Sequence, residues 1–155
     1  MTQSVIWSPI PGGITAPTGF KAAGLSAGLK PSSKADLSLL LAPEDAVCAG
    51  TFTTSVVRAA CVDLCADRLQ VASGRVRAVL TNSGQANACT GDRGLVDSLR
   101  ITQAVADRLG FPQDEVLICS TGVIGVPIAI DPLLAAVDPL VSSLAPDGGG
   151  AAAQA

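Results

Sequence analysis

The chain of 155 residues contains no histidine, no tyrosine and a single tryptophan, and only 15% of its residues are charged. The absence of histidine removes the commonest general base and metal ligand of proteins. Any chemistry must therefore use hydroxyl groups, thiols, carboxylates or backbone amides. Apolar stretches of about 18 residues are also absent, so the sequence predicts no membrane-spanning helix.

Ten Lys and Arg and thirteen Asp and Glu give the chain a net charge of −3. Charge of one sign is not concentrated in any segment of the sequence. Nucleic-acid binding requires a clustered cationic face, so we expect no nucleic-acid partner. The first nine residues have neither the basic nor the apolar region of a signal peptide, and we expect a cytoplasmic protein. The five cysteines are irregularly spaced, as is typical of reduced thiols rather than of a disulfide framework.

The low charge content also bears on the surface of the protein. Its length is that of about one domain, and its mean hydropathy is +0.48. So few charges on so apolar a chain suggest that another chain covers part of the surface. Compositional drift in a protein rich in small residues would also give a low charge content and a high mean hydropathy. Composition alone leaves both explanations open.

Short strands and helices alternate along the chain, which predicts an α/β or α+β fold for residues 1–145. Residues 9–33 are rich in Gly and Pro, so they should form turns that join short extended pieces. Apolar and β-branched runs predict the strands, and apolar side chains at helical spacing predict the helices. The predicted strands are 36–42, 47–54, 75–81 and 115–120, with 56–63 as a continuation, and the predicted helices are 64–71, 95–109 and 132–144. Residues 146–155 are either a flexible tail or the start of another helix.

Cysteine pairs and glycine-rich segments are the usual first candidates for metal or phosphate sites. Cys61 and Cys65 form a close pair, but a structural zinc site needs four ligands and the other thiols are scattered singly. We therefore expect no metal. The glycine-rich segments match neither the Walker loop nor the dinucleotide-binding fingerprint, because both require fixed glycine spacing between a strand and a helix.

Two other segments are better candidates. Segment 82–91 (NSGQANACTG) follows a predicted strand and precedes a helix, so that its backbone amides can face an anion or a substrate. Alternatively, its Asn and Ser side chains only satisfy their own backbone. At the end of the next strand, the Thr121 hydroxyl and the Gly122 amide can point at one oxygen atom, which is the geometry of an oxyanion hole. Thr-Gly turns are common, so this motif alone is weak evidence.

Three segments together resemble one family. Segments 12–24 (GGITAPTGFKAAG), 82–91 and 120–125 (STGVIG) occur in the order and spacing of the ornithine acetyltransferase family, the ArgJ enzymes of arginine biosynthesis. Segment 52–54 (FTT) fits the same pattern, and the resemblance extends from residue 12 to about residue 144. It implies a layered α/β fold in which helices flank stacked β-sheets, in the order α-β-β-α.

The resemblance also implies a reaction. A precursor cleaves itself before a Thr to give α and β chains, of which two each form the enzyme. The N-terminal Thr of the β chain attacks the acetyl group of N-acetylornithine, and the acetyl-enzyme then acetylates glutamate. The pKa of an α-amine, about 7.7–8.0, suits it to accept the hydroxyl proton. Thr121 and Gly122 match the positions of the family's oxyanion hole.

The α chain of the family usually continues beyond the point that matches Ala155, so we expect segment 146–155 to be incomplete and the isolated chain to be inactive. No cofactor is expected, and acetyl-CoA as a second acetyl donor is left open. Three alternatives remain. They are an aminopeptidase or amidase subunit with an N-terminal nucleophile, a small-molecule-binding module built on segment 82–91, and a purely structural subunit.

Overall fold

The computed structural model describes residues 7–155. Residues 1–6 lie outside the described residues. The predicted domain begins with them, and the signal-peptide prediction largely depends on them. Within residues 7–155 the chain forms four strands, four α-helices and two short 3-10 turns. The strands are β1 (Lys21–Leu25), β2 (Leu37–Leu41), β3 (Ala78–Gln85) and β4 (Val116–Val123), and the helices are α1 (Ala60–Val71), α2 (Gly91–Leu109), α3 (Ile130–Ser142) and α4 (Gly149–Gln154). The 3-10 turns are Gly13–Thr15 and Gln113–Glu115.

The four strands form one sheet in the order β1-β2-β3-β4. β1 and β2 are antiparallel, as are β2 and β3, whereas β3 and β4 are parallel. A parallel pair needs a crossover connection, and α2 provides it. The α/β class is confirmed. The resemblance implies two stacked β-sheets flanked by helices, and the described part of the chain contains one such sheet.

The core lies between one face of this sheet and helices α1, α2 and α3. Leu37 and Leu39 of β2 point to this face because side chains alternate along a strand. Large apolar side chains from every layer are fully buried there, namely Leu37, Leu39, Leu80, Ile101, Val105, Val116, Ile118, Ile128, Leu133 and Leu140. The core therefore fixes the position of the parallel strands β3 and β4.

The opposite face of the sheet is only partly covered. Helix α4 packs closely on β1, where a side chain at Gly24 would collide with the backbone of Ala151. Beyond α4 lies a mostly apolar cavity of about 420 Å³, lined among others by Leu40, Val79 and Thr81. This face is where a further layer can be added.

Most of the predicted elements are present. The strand at 36–42 and the helices at 95–109 and 132–144 are confirmed, with bounds shifted by up to four residues. Gly110 ends α2 as predicted, since it has a φ of 78° and its amide donates to Ala106. The predicted helix at 64–71 is also present but begins four residues earlier, at Ala60. Segment 149–154 is helical rather than a flexible tail.

Two predicted strands are wrong. Residues 47–54 form no strand, and the continuation at 56–63 is a loop followed by the start of α1. Val47, Val56 and Val57 are all strongly exposed. β-Branched residues favour strands only where a neighbouring strand and a buried face are available, and this segment has neither. Strands β3 and β4 also continue three or four residues further than predicted, into the two candidate segments.

Candidate active site

The two candidate segments meet at the carboxyl ends of the parallel strands. In the register of β3 and β4, Ser83 lies opposite Thr121 and Gly84 lies opposite Gly122. The pairing continues beyond the strands, because the Gly125 amide donates to the carbonyl oxygen of Ala88 at 2.9 Å. In open α/β sheets, ligands bind outside the carboxyl ends of the strands, and this edge is therefore the position to search for a site.

Thr121 and Gly122 are both exposed at this edge. Thr121 pairs with Ser83, and directly opposed residues point to the same face of a sheet, so the Thr121 side chain lies on the face that α1, α2 and α3 leave open. Its hydroxyl has no hydrogen-bond partner among residues 7–155. A free hydroxyl is what a donor to an incoming ligand requires.

The orientation of the Gly122 amide follows from the neighbouring residues of β4. The backbone groups of Ile118 bond to Cys65 of α1, and the carbonyl oxygen of Val116 accepts from Arg68 of the same helix. Both residues thus turn their polar groups away from β3. This orientation alternates along a strand, so we expect the Gly122 amide to point away from β3 as well, toward the exposed edge.

The positive ends of two helices lie near the same edge. Helix α1 begins at Ala60, whose amide donates to the carbonyl oxygen of Asn87 at 3.3 Å. Helix α2 begins at Gly91, the last residue of segment 82–91. A helix carries partial positive charge at its N-terminus, so both helices favour negative charge at this end of the sheet.

The polar side chains of segment 82–91 serve the protein itself. Asn87 is fully buried and donates to the carbonyl oxygen of Gly94 and to the Ser98 hydroxyl at 2.9 and 2.8 Å. Asn82 donates to the carbonyl oxygen of Gln85 at 3.0 Å and accepts from the Ser120 hydroxyl at 2.7 Å. Of these contacts, only the one from Asn82 to Gln85 satisfies the segment's own backbone, and the others tie the segment to α2 and to β4.

In the part of the chain that the structure describes, no three Cys, Asp or Glu side chains are grouped as metal ligands would be. Cys65 is buried and its sulfur bonds to Ile118. Burial raises the pKa of the Cys65 thiol to about 11, so it stays protonated near neutral pH and is a poor nucleophile. Burial also raises the pKa of the Cys119 thiol.

Sequence reasoning did not single out Gly84 or Cys65 as parts of this edge. Gly84 stood within a candidate segment, but its position opposite Gly122 depends on the register of two strands. Cys65 was considered only as half of a metal pair. Its contact with β4 arises from the packing of α1, for which the thiol spacing gave no signal.

A sequence model described as the ArgJ family matches residues 21–155. The chain belongs to the ArgJ family. It is 67% identical over 150 residues to the arginine biosynthesis bifunctional protein ArgJ of Prochlorococcus marinus strain MIT 9313, covering 97% of this chain and 35% of that protein. The same-named protein of Parasynechococcus marenigrum is 67% identical over 149 residues, covering 96% of this chain and 36% of that protein. This ArgJ chain thus spans about a third of the length of these curated relatives.

Solved ArgJ structures have the same fold. The ornithine acetyltransferase of Mycobacterium tuberculosis, solved in complex with ornithine, matches with a TM-score of 0.88 and 43% identity over 92% of this chain and 77% of that chain. The arginine biosynthesis bifunctional protein ArgJ of Bacillus halodurans matches with a TM-score of 0.85 and 31% identity, over 92% and 74% of the two chains. The resemblance inferred from the three sequence segments is confirmed.

None of the four α-helices in the described part of this ArgJ chain is both long and apolar enough to cross a membrane.

Proposed function

We propose that this chain is the oxyanion-binding part of an acetyltransferase that moves the acetyl group of N-acetylornithine to glutamate. The observation that carries the proposal is the exposed Thr121–Gly122 pair at the carboxyl end of β4, where the Thr121 hydroxyl has no hydrogen-bond partner among residues 7–155. The substrate class is supported by the names of the relatives, which are proteins of arginine biosynthesis, and by the relative solved with ornithine.

The proposed reaction has two similar halves. The N-terminal Thr of a β chain attacks the acetyl carbonyl carbon, and its own amine takes the hydroxyl proton. The carbonyl oxygen becomes negative and accepts hydrogen bonds from the Thr121 hydroxyl and the Gly122 amide. Collapse of the intermediate breaks the amide bond, and ornithine leaves with the proton. The amine of glutamate then attacks the acetyl ester, and the same two donors bind the second oxyanion. Its collapse breaks the ester C–O bond, releases N-acetylglutamate and returns the proton of the attacking amine to the Thr hydroxyl.

The β chain is proposed as the partner that covers the exposed surface, in an assembly of two α and two β chains. Val123, Ile124 and Val126 follow the proposed donors and are 46–65% exposed. The open face of the sheet adds an apolar cavity lined in part by Leu40 and Val79. Exposed apolar patches of this kind mark interaction surfaces, and they explain the low charge content of the chain.

Acetyl-CoA is proposed as a second acetyl donor, because both curated relatives described above carry the word bifunctional in their names. Transfer from acetyl-CoA to glutamate passes through the same acetyl ester and the same oxyanion. The proposal therefore needs no second site in this chain.

The test uses the assembled protein with N-acetylornithine labelled in its acetyl group. We expect label in N-acetylglutamate when glutamate is present, and one labelled acetyl ester per β chain when glutamate is omitted. Release of labelled acetate in place of N-acetylglutamate would identify an amidase or aminopeptidase. Failure to label either the protein or glutamate would overturn the proposed function, and omission of the β chain is the matched control.

A further inference from the structure

Gly84 and Gly122 lie opposite each other in the parallel register of β3 and β4, one step after the Ser83–Thr121 pair. Their φ angles are nearly equal, +129° for Gly84 and +127° for Gly122. L-amino acids with a side chain rarely adopt this conformation, whereas glycine adopts it readily. Both strands therefore distort together at the residue that carries the proposed amide donor.

The two glycine backbones are in direct contact. A Cβ atom built on Gly122 would collide with the carbonyl group of Gly84 and would lie 2.9 Å from the Gln85 nitrogen. On its other side, a Cβ atom built on Gly84 would lie 3.1 Å from the Cβ of Leu29 and 3.4 Å from its carbonyl oxygen. The Gly84 backbone thus lies between Leu29 and Gly122, with no room for a side chain at Gly122 and a tight fit for one at Gly84.

Leu29 is itself held firmly. Its amide donates to the Asp36 carboxylate at 2.6 Å, and Asp36 is fully buried. The carbonyl oxygen of Asp36 accepts from the Ser83 amide at 2.9 Å. Contacts therefore run from Asp36 through Leu29 and Gly84 to Gly122. None of these contacts uses the Gly122 amide.

We propose that Gly84 is a positioning residue for the oxyanion hole, a role that rests on the proposed function. Its carbonyl group backs Gly122 and fixes the plane of the Thr121–Gly122 peptide, so that the Gly122 amide and the Thr121 hydroxyl converge on one point. Preset donors stabilise a transition state because they need no reorganisation during the reaction. Gly84 itself touches no reacting atom.

The first test is Gly84→Ala in the assembled protein. The added Cβ strains a φ of +129° and pushes against Leu29, which moves the Gly84 carbonyl group toward or away from Gly122. We expect kcat to fall about 10- to 100-fold, the range that misplacement of a catalytic group produces. KM for N-acetylornithine and for glutamate should stay within about twofold, because the donors bind the transition state more strongly than the substrate.

The matched control is Gly110→Ala. Gly110 also has a positive φ, of 78°, but it ends α2 and has no atom within 4 Å of its Cβ position. This variant should lose stability and keep its kcat. An equal fall in kcat for both variants would show that general strain, and not the position of Gly122, determines the rate.

A double variant tests whether Gly84 acts through Gly122. If it does, Gly84→Ala combined with Gly122→Ala should be no slower than Gly122→Ala alone, because residues that act as a unit are not additive. Multiplicative losses would overturn the proposal.

If Gly84→Ala fails to assemble, Leu29→Val replaces it, since valine is shorter by one carbon but branched at the Cβ nearest to Gly84. Leu29→Met, which is unbranched at Cβ, is its control. We expect a lower kcat for Leu29→Val only, and an unchanged kcat would contradict the proposal. If the wild-type protein transfers acetyl groups and Gly84→Ala keeps the full kcat, that result overturns this inference alone. A wild-type protein that transfers none overturns the proposed function as well.

Discussion

The Cys65 thiol donates to the carbonyl oxygen of Ile118 at 3.2 Å, and the Ile118 amide lies 3.3 Å from the same sulfur. One side chain of α1 therefore satisfies both outward backbone groups of a residue on the edge strand β4. Unpaired edge groups invite pairing with other chains, and α1 prevents this at Ile118. Since α1 covers the edge at Val116 and Ile118, the exposed part of the edge lies further along β4, where Gly122 is found.

The first prediction concerns pH and Cys65. Burial raises the pKa of this thiol from 9.0 to about 11 in the folded protein. Between about pH 9 and 11 the unfolded chain has therefore released a proton that the folded chain retains, so the free energy of unfolding falls as pH rises. We expect urea midpoints to decrease more steeply in the wild type than in Cys65→Ser across this range. Equal slopes would contradict the prediction, and Cys89→Ser, at an exposed thiol, is the control.

The second prediction concerns Asp36. Its carboxylate accepts the amides of Ala27, Leu29 and Lys30 at 2.6, 2.6 and 2.9 Å. Asp36→Ala leaves these amides without their partner, and hydrogen bonds to a charged group contribute about 1.5–3 kcal/mol each. We expect the free energy of unfolding in urea to fall by at least about 3 kcal/mol. The loss should be smaller than the sum of the three hydrogen bonds, because the loop relaxes in the variant. Asp45→Ala, at an exposed position, should change it by less than about 0.5 kcal/mol. Similar losses in the two variants would rule out this role.

The third prediction concerns Asn87, which has a φ of 51°. Asn87→Gly tolerates that angle, so its effect reports the loss of the side-chain hydrogen bonds to Gly94, Ser98 and Thr90. We expect a loss of about 1–3 kcal/mol in thermal unfolding. Asn87→Asp should be worse, because it places an acceptor oxygen against the carbonyl oxygen of Gly94. A neutral Asn87→Gly would show that the side chain does not anchor the start of α2.

Local patterns predicted the elements whose stability is local or whose apolar spacing is regular. Helices α2 and α3 show apolar side chains at helical spacing, and Gly110 ends α2 by its own conformation. Residues 47–54 have the composition of a strand, but whether such a segment joins a sheet depends on a distant partner. That information is absent from the segment, and Val47 is exposed as a result.

The candidate site divides in the same way. Thr121 and Gly122 could be named because the sequence places them after an apolar strand and because three segments resemble one family. The contact of Gly84 with Gly122, and the contact of Cys65 with Ile118, depend on strand register and helix packing. No sequence motif encodes either distance, so these supporting residues emerged only from the fold.

The last prediction concerns Thr121, whose hydroxyl is proposed to bind the oxyanion. Thr121→Ala in the assembled enzyme should lower kcat by an amount equivalent to about 2.7–4 kcal/mol, the usual cost of losing one such donor. Thr121→Ser retains the hydroxyl and should recover most of the rate, while Thr18→Ala, at an exposed turn, should change nothing. Steady-state kinetics with both substrates separates kcat from KM. Because the oxyanion exists only in the transition state and the intermediates, an unchanged kcat with a raised KM would assign Thr121 to substrate binding instead.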